Sequence, residues 1–184
     1  HAHADHVNGI DDIRLMNFHK KGPIDAYASR QTLDTLRARF AYVFAPYDGA
    51  PQHYRPCLTP HEINGPFRIG AIDIVPFHQE HGCNPSLGFR FNKFAYSTDV
   101  KALSDESFAI LEGVEVWIVD GLSEIPHHGH THLAQTLEWI VRVAPKRAVL
   151  THLSHRMDYD SLVAKLPTGV EPAYDGMVFE VGDE

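Results

Sequence analysis

Along this chain of 184 residues the apolar positions switch repeatedly between helical and strand spacing. After a polar start, "IDDIRLMNF" following Gly9 predicts a first helix. "SRQTLDTLRARF" predicts a second, with Ser29 as its N-cap and Leu33, Leu36 and Phe40 along one face. Residues 45–67, rich in proline and glycine, predict a long irregular segment of the kind that forms a lid or a substrate wall. "RIGAIDIVPF" then reads as a buried strand, and "SLGFRFNKFAYSTD" as a hairpin turning at Asn92-Lys93, with Leu87, Phe89 and Phe91 at alternate positions. "SDESFAILEG" predicts a short helix from a capping Ser104 to Gly113, and "VEVWIVD" a buried strand. "HLAQTLEWIVRVAP" sets Leu133, Leu137, Ile140, Val141 and Ala144 at helical spacing, and "RAVLTH" is a strand that ends on a histidine.

Such alternation favours a layered α/β or α+β domain, and the length suits one domain over residues 1–184 with a sizeable core. No run approaches the ~18 apolar residues that cross a bilayer, and no charged start leads into an apolar stretch, so a cytoplasmic location without membrane partners is expected. Cys57 and Cys83 form no CxxC pair and are expected to be reduced and structural. A net charge of −8 with histidines neutral argues against an extended nucleic-acid surface.

The fourteen histidines change this picture. Three of them, His1, His3 and His6, lie with Asp5 in the opening "HAHADHVNG", separated by small residues that let the side chains converge. His1 and His3 fall on one side of an extended segment, and a turn just beyond can swing Asp5 and His6 round to a neighbouring point. That arrangement can serve two adjacent cations. Elsewhere histidines and aspartates recur where strands stop, which is where open α/β sheets place their chemistry.

HxHxDH followed by Gly9 and a helix resembles the signature of the metallo-β-lactamase fold hydrolases, and the resemblance continues in order along essentially the whole chain. It implies an αββα sandwich. His81 in "FHQEHGCNPSLGFRF" matches the next histidine ligand better than His78; Asp99 in "AYSTD" matches the bridging carboxylate, and His152 in "LTHLSH" the last histidine. By that match His1, His3 and His81 hold one ion, Asp5, His6 and His152 the other, and Asp99 bridges them. With only imidazole and carboxylate donors, the two ions are expected to be Zn²⁺ or Mn²⁺. The strand and threonine that precede this motif in the family are not in this chain, so its first sheet is expected to be incomplete and a further segment to accompany it in the active protein.

β-Lactam hydrolases of this superfamily usually place other ligands, often cysteine, at the bridging position, so Asp99 points elsewhere. "AYSTD", "PHHGHTHLAQTLEW" and "PKRAVLTHLSHRMDYDSL" are similar to the phosphoribosyl cyclic phosphodiesterase branch, while the basic arm of the more distant tRNA 3′-end endonucleases has no counterpart. The resemblance therefore implies a dinuclear phosphodiesterase acting on a small, cyclic phosphodiester or a nucleotide through a water activated between the ions. Asp5 counts with the catalytic set as well as with the ligands. Of His127, His128, His130 and His132, His130 matches the proton-donating histidine, with His127 and His130 touching substrate. A thioesterase or lactonase using the same metals, and a metal-binding module without activity, are the alternatives; a homodimer is compatible with the phosphodiesterase reading.

Overall fold

The computed structural model describes residues 1–47, 49, 55–178 and 180. Of the expected irregular segment 45–67, residues 48 and 50–54 lie outside the described residues. The chain divides into two compact units, His1–Asn64 and Gly65–Glu184.

The first unit starts with a short helix α1 (Ala4–Val7), a 3₁₀ turn (Asn8–Asp12) and α2 (Ile13–Lys20). It continues through β1 (Ile24–Ala28), α3 (Arg30–Arg39), a second 3₁₀ turn (Ala41–Phe44) and β2 (Leu58–Glu62). β1 and β2 pair in parallel from Ile24 with Leu58 to Ala28 with Glu62. Neither strand stands out in the apolar pattern, and β2 falls inside the segment expected to be irregular. The helix expected after Gly9 begins only at Ile13, and its polarity is inverted. Asn17 is buried, while Leu15, Met16 and Phe18 are exposed. The cause is a set of amide bonds: Asn17 Nδ2 donates to the carbonyls of Gly22 (2.9 Å) and Cys57 (2.8 Å), and its Oδ1 accepts from Cys57 N (3.0 Å). A buried amide so fully paired fixes which face of α2 turns inward. Ser29 caps α3 by accepting from Thr32 N, and Leu33 and Leu36 are buried as their spacing predicts.

The second unit is a seven-stranded sheet in chain order: β3 (Phe67–Ile69), β4 (Ile72–Gln79), β5 (Ser86–Phe91), β6 (Phe94–Ser97), β7 (Val116–Asp120), β8 (Arg147–Thr151) and β9 (Val170–Pro172). The expected single strand over 68–77 is a hairpin, because Gly70 takes φ +59° and Ile69 pairs with Ile72 across a two-residue turn. The hairpin turning at Asn92-Lys93 forms as expected, with Phe91 opposite Phe94. β3 to β6 are antiparallel neighbours, whereas β6 to β9 run parallel. The parallel strands are joined through α4 (Asp105–Leu111), α5 (Leu133–Val143) and α6 (Tyr159–Lys165). Neither α6 nor β9 is evident from the apolar pattern.

This unit's core contains Phe77, Ala95, Phe108, Leu111, Trp117, Val119, Ile140 and Leu150. α5 meets it through Leu133, Thr136, Trp139 and Ile140. Val141, expected on that face, is 80% exposed; Trp139 and Thr136 shift the buried stripe of α5 by part of a turn. Of the two cysteines Cys57 is buried but Cys83 is exposed, which corrects the expectation that both are structural. No helix among the described residues is long and apolar enough to cross a membrane.

Direction follows from pairing. β4 is antiparallel to β5, and β5 to β6, so β4 runs the same way as β6, β7 and β8. The C-terminal ends of these four strands therefore lie along one edge of the sheet.

Candidate metal centre

The first unit carries the N-terminal cluster. His3 is extended (φ −69°, ψ 155°) and is the residue from which α1 starts, so His1 and His3 precede the helix while Asp5 and His6 ride on its single turn. The His1 ring lies 4.3 Å from that of His3 and 4.7 Å from that of His6, and Asp5 Oδ2 lies 3.4 Å from His6 Nε2. Arg39 of α3 ties the segment down by donating to the Ala2 carbonyl (2.7 Å). The residues are half-buried (His1, His3) or exposed (Asp5, His6).

The second unit carries a different cluster, assembled at the strand ends. His81 follows β4, Asp99 follows β6, Asp120 is the last residue of β7 and His152 follows β8. Their neighbour His130 comes from the segment between β7 and α5. His81, Asp99, Asp120 and His130 are buried, and His152 is half-buried. Asp99 and His152 adopt left-handed conformations (φ +56° and +58°). Among the described residues the other non-glycine residues of this kind are a hairpin turn residue, Asn92, and the helix C-caps Lys21 and Ala144, where such a conformation is ordinary. At a strand end it costs on the order of 1–3 kcal/mol and tends to mark a functional position.

Three imidazoles surround the Asp99 carboxylate. His81 Nε2 is 3.5 Å and His130 Nε2 3.9 Å from Oδ1, and His152 Nε2 is 3.7 Å from Oδ2. These separations exceed a hydrogen bond and suit donors that share a cation, whose own bonds to nitrogen and oxygen are about 2 Å. His81 Nδ1 lies 2.6 Å from the Gly129 carbonyl. A carbonyl only accepts, so Nδ1 holds the proton and Nε2 presents its lone pair, the orientation typical of a ligating histidine. Asp120, His130 and His152 also offer atoms within 4.8 Å of one another. All of these donors are nitrogen or oxygen, a set that fits Zn²⁺ or Mn²⁺.

Asp120 carries no role in the sequence reading, and its position at the end of a strand was the only signal. It is fully buried and accepts from Val100 N (3.2 Å), Leu122 N (3.0 Å) and His130 Nδ1 (2.8 Å). The His130 ring is thereby fixed, stacked on His152 at 4.9 Å and set edge-on to His81 at 4.6 Å. His127 lies 5.3 Å from it, ring to ring. Partial burial, aided by His128, His130 and Lys101, holds His127 below the ordinary histidine range. Burial, followed by the charges of Asp99 and Asp120, pushes the Tyr96 phenol up, so it stays protonated. His128 and His155 are exposed, as is His78 on β4. A cavity of about 320 Å³ opens beside His127, lined by Ile125, Pro126, Arg156 and Met157.

Residues 1–153 match the family described as beta-lactamase superfamily domain. Among solved structures, a diphosphatase from the PhnP family is similar over 99% of this chain and 69% of its own, at 27% identity and a TM-score of 0.88. The metallo-beta-lactamase fold protein YhfI from Bacillus subtilis aligns with 97% of this chain and 74% of its own, at 17% identity and a TM-score of 0.74, a likeness of fold alone. Among curated proteins, an octanoyltransferase from Porphyromonas gingivalis is 30% identical over 181 residues, which is 96% of this chain. The chain spans only 36% of that relative's length.

Proposed function

This chain belongs to the beta-lactamase superfamily domain family, with its fold and on its PhnP-like branch, and from that premise we propose that it is a dinuclear metal-dependent phosphodiesterase acting on a small cyclic or linear phosphodiester. In this reading His1, His3 and His81 hold one divalent ion, Asp5, His6 and His152 the second, and Asp99 serves both. The ions would supply Lewis acidity toward phosphoryl oxygens and acidify a water to near-neutral pKa.

The observation that carries the reading is the buried Asp120–His130 pair beside Asp99. With its Nδ1 proton committed to Asp120, His130 keeps Nε2 facing the ligand cluster. The buried carboxylate stabilises the imidazolium form, so Nε2–H can pass a proton to the departing alkoxide. A positioned acid of this kind is worth about 10²- to 10⁴-fold. His127, held neutral, borders the cavity beside it and contacts the substrate. The PhnP-family neighbour, a diphosphatase by name, supports chemistry at phosphorus.

Acyl transfer is the activity named for the longer curated relative, so a thioester is the competing substrate class. The test is a comparison of bis(p-nitrophenyl) phosphate and a ribose cyclic phosphate with an octanoyl thioester, each with Zn²⁺ or Mn²⁺ supplied. Preferential hydrolysis of the phosphodiesters is expected. Preference for the thioester would replace the reading with acyl chemistry, and metal binding with background turnover on all of them would reduce the protein to a binding module.

A further inference from the structure

The loop that carries Asp99 leaves the sheet before its backbone is paired. The β5–β6 ladder ends at Phe89 with Tyr96, and the β6–β7 ladder at Ser97 with Val119. The carbonyls of Thr98 and Asp99 fall beyond both ladders, and buried carbonyls need donors. Side chains supply them. Gln79, the last residue of β4, donates through Nε2 to the Thr98 carbonyl (2.9 Å) and to Ser86 Oγ (2.9 Å). Ser86, its partner at the start of β5, donates in turn to the Asp99 carbonyl (2.7 Å). Both side chains are buried, Gln79 being 1% and Ser86 3% exposed.

Chemistry fixes the direction of this relay. Carbonyls only accept, so the Gln79 nitrogen must face Thr98, and its oxygen then faces away. Among the described residues Gln79 Oε1 has no partner, a cost that an apolar side chain of the same length would avoid. The neighbouring strand also yields space to it: a Cβ on Gly88 would lie 2.6 Å from Gln79 Oε1 and 2.3 Å from the Phe77 ring. A core that keeps a half-satisfied amide is not optimised for stability at this point.

We infer that Gln79 and Ser86 are positioning residues for the metal centre: they clamp the two carbonyls around Asp99, hold its left-handed backbone, and so aim its carboxylate at the imidazoles. This rests on the reading of Asp99 as a shared ligand. Outer partners of ligands typically change metal affinity or activity by about 10- to 100-fold.

The full chain, stripped with a chelator, is titrated with Co²⁺ against a competing indicator while the visible spectrum and the melting midpoint are recorded. Gln79→Met and Ser86→Ala are expected to bind Co²⁺ about 10- to 100-fold more weakly, with an altered spectrum. Gln79→Met removes the orphan oxygen but also the donor to the Thr98 carbonyl, so its apo melting midpoint should fall no further than that of Ser107→Ala, which strips one buried carbonyl of its donor in the same way. Ser86→Thr, which keeps the hydroxyl, should restore binding. Ser107→Ala is the matched control, because Ser107 is equally buried and donates to the β4 carbonyl of His78 (2.7 Å) without reaching Asp99. It should lose stability and keep Co²⁺ affinity. Wild-type Co²⁺ binding in Gln79→Met and Ser86→Ala overturns the inference, whatever their stability; if Ser86→Ala does not fold, Gln79→Met decides. Asp99→Ala separates the two claims: should it too bind Co²⁺ like wild type, the ligand reading falls and takes the relay with it, whereas loss in Asp99→Ala alone removes only the relay.

Discussion

The N-terminal cluster and the strand-end cluster use the same chemistry and are built in opposite ways. The first is contiguous in sequence: His1, His3, Asp5 and His6 meet because an extended stretch runs into a single helical turn, and Arg39 donates to the Ala2 carbonyl within it. The second gathers His81, Asp99, Asp120, His130 and His152 from five places in the chain, each fixed by a strand end or by a buried hydrogen bond. Exposure follows construction, with Asp5 and His6 exposed but His81 and Asp99 buried. A motif can therefore deliver donors cheaply, while preorganisation of the carboxylate requires the sheet. The contrast predicts that substitutions in the two clusters will divide differently between metal binding and folding.

The largest effect should come from Asp99. On the proposed dinuclear reading, Asp99→Ala is expected to drop metal content from two ions per chain to below one and to cut the proposed phosphodiester hydrolysis by more than the about 100-fold typical of outer-sphere changes. Asp5→Ala should cost only one ion. Metal analysis of the purified variants decides this, and two ions retained in Asp99→Ala would erase the asymmetry.

Next comes His130→Ala, which should keep both metals yet lose about 10²- to 10⁴-fold on esters with poor alkyl leaving groups. The loss on p-nitrophenyl esters should be much smaller, because phenolate departs without a proton. Equal losses on both substrates, or depleted metal, would move His130 from proton donor to ligand.

The strand-end positions of His81, Asp99 and His152 were legible because the strands before them stand out in the pattern, and β7 and β8 because residues 116–119 and 148–150 are unbroken apolar runs. What could not be read depended on contacts across the fold. Asp120 acquires its role only when His130, ten residues later, folds back onto it. The face of α2 is set by Asn17 reaching Cys57, forty residues away, against the apolar pattern of the helix itself. β2 includes Pro60 and charged Glu62 and lies in a proline-rich region, so only its parallel partner β1 makes it a strand. On α5 the eye selects Val141 over Thr136, but Thr136 Oγ1 donates to the Asp120 carbonyl and is buried for that reason.

Removing the Asp120 carboxylate tests how far the strand-end cluster is also structural. Asp120→Ala leaves the buried Val100 amide, the part-buried Leu122 amide and His130 Nδ1 without their acceptor, and should destabilise the metal-free protein by about 3 kcal/mol in urea titration. Asp5→Ala, exposed on a helical turn, should leave the metal-free midpoint where it is. Matching shifts in the two variants would contradict the comparison. The smallest effect belongs to the first unit's scaffold: Ser29→Ala removes the cap of α3 and should cost about 1 kcal/mol without altering metal content.

The segment between β7 and α5 is tied at its ends and faces solvent in its middle. Gly121 N bonds the Thr151 carbonyl, Thr131 N the Val100 carbonyl and Leu133 N the Ser123 carbonyl, whereas Glu124, Ile125, Pro126 and His128 are exposed. Insertions at 124–126 would lengthen a rim without entering any ladder. The same framework could thus acquire a new substrate range by changes of loop length alone, and residues 124–128 are where a library aimed at altered specificity should begin.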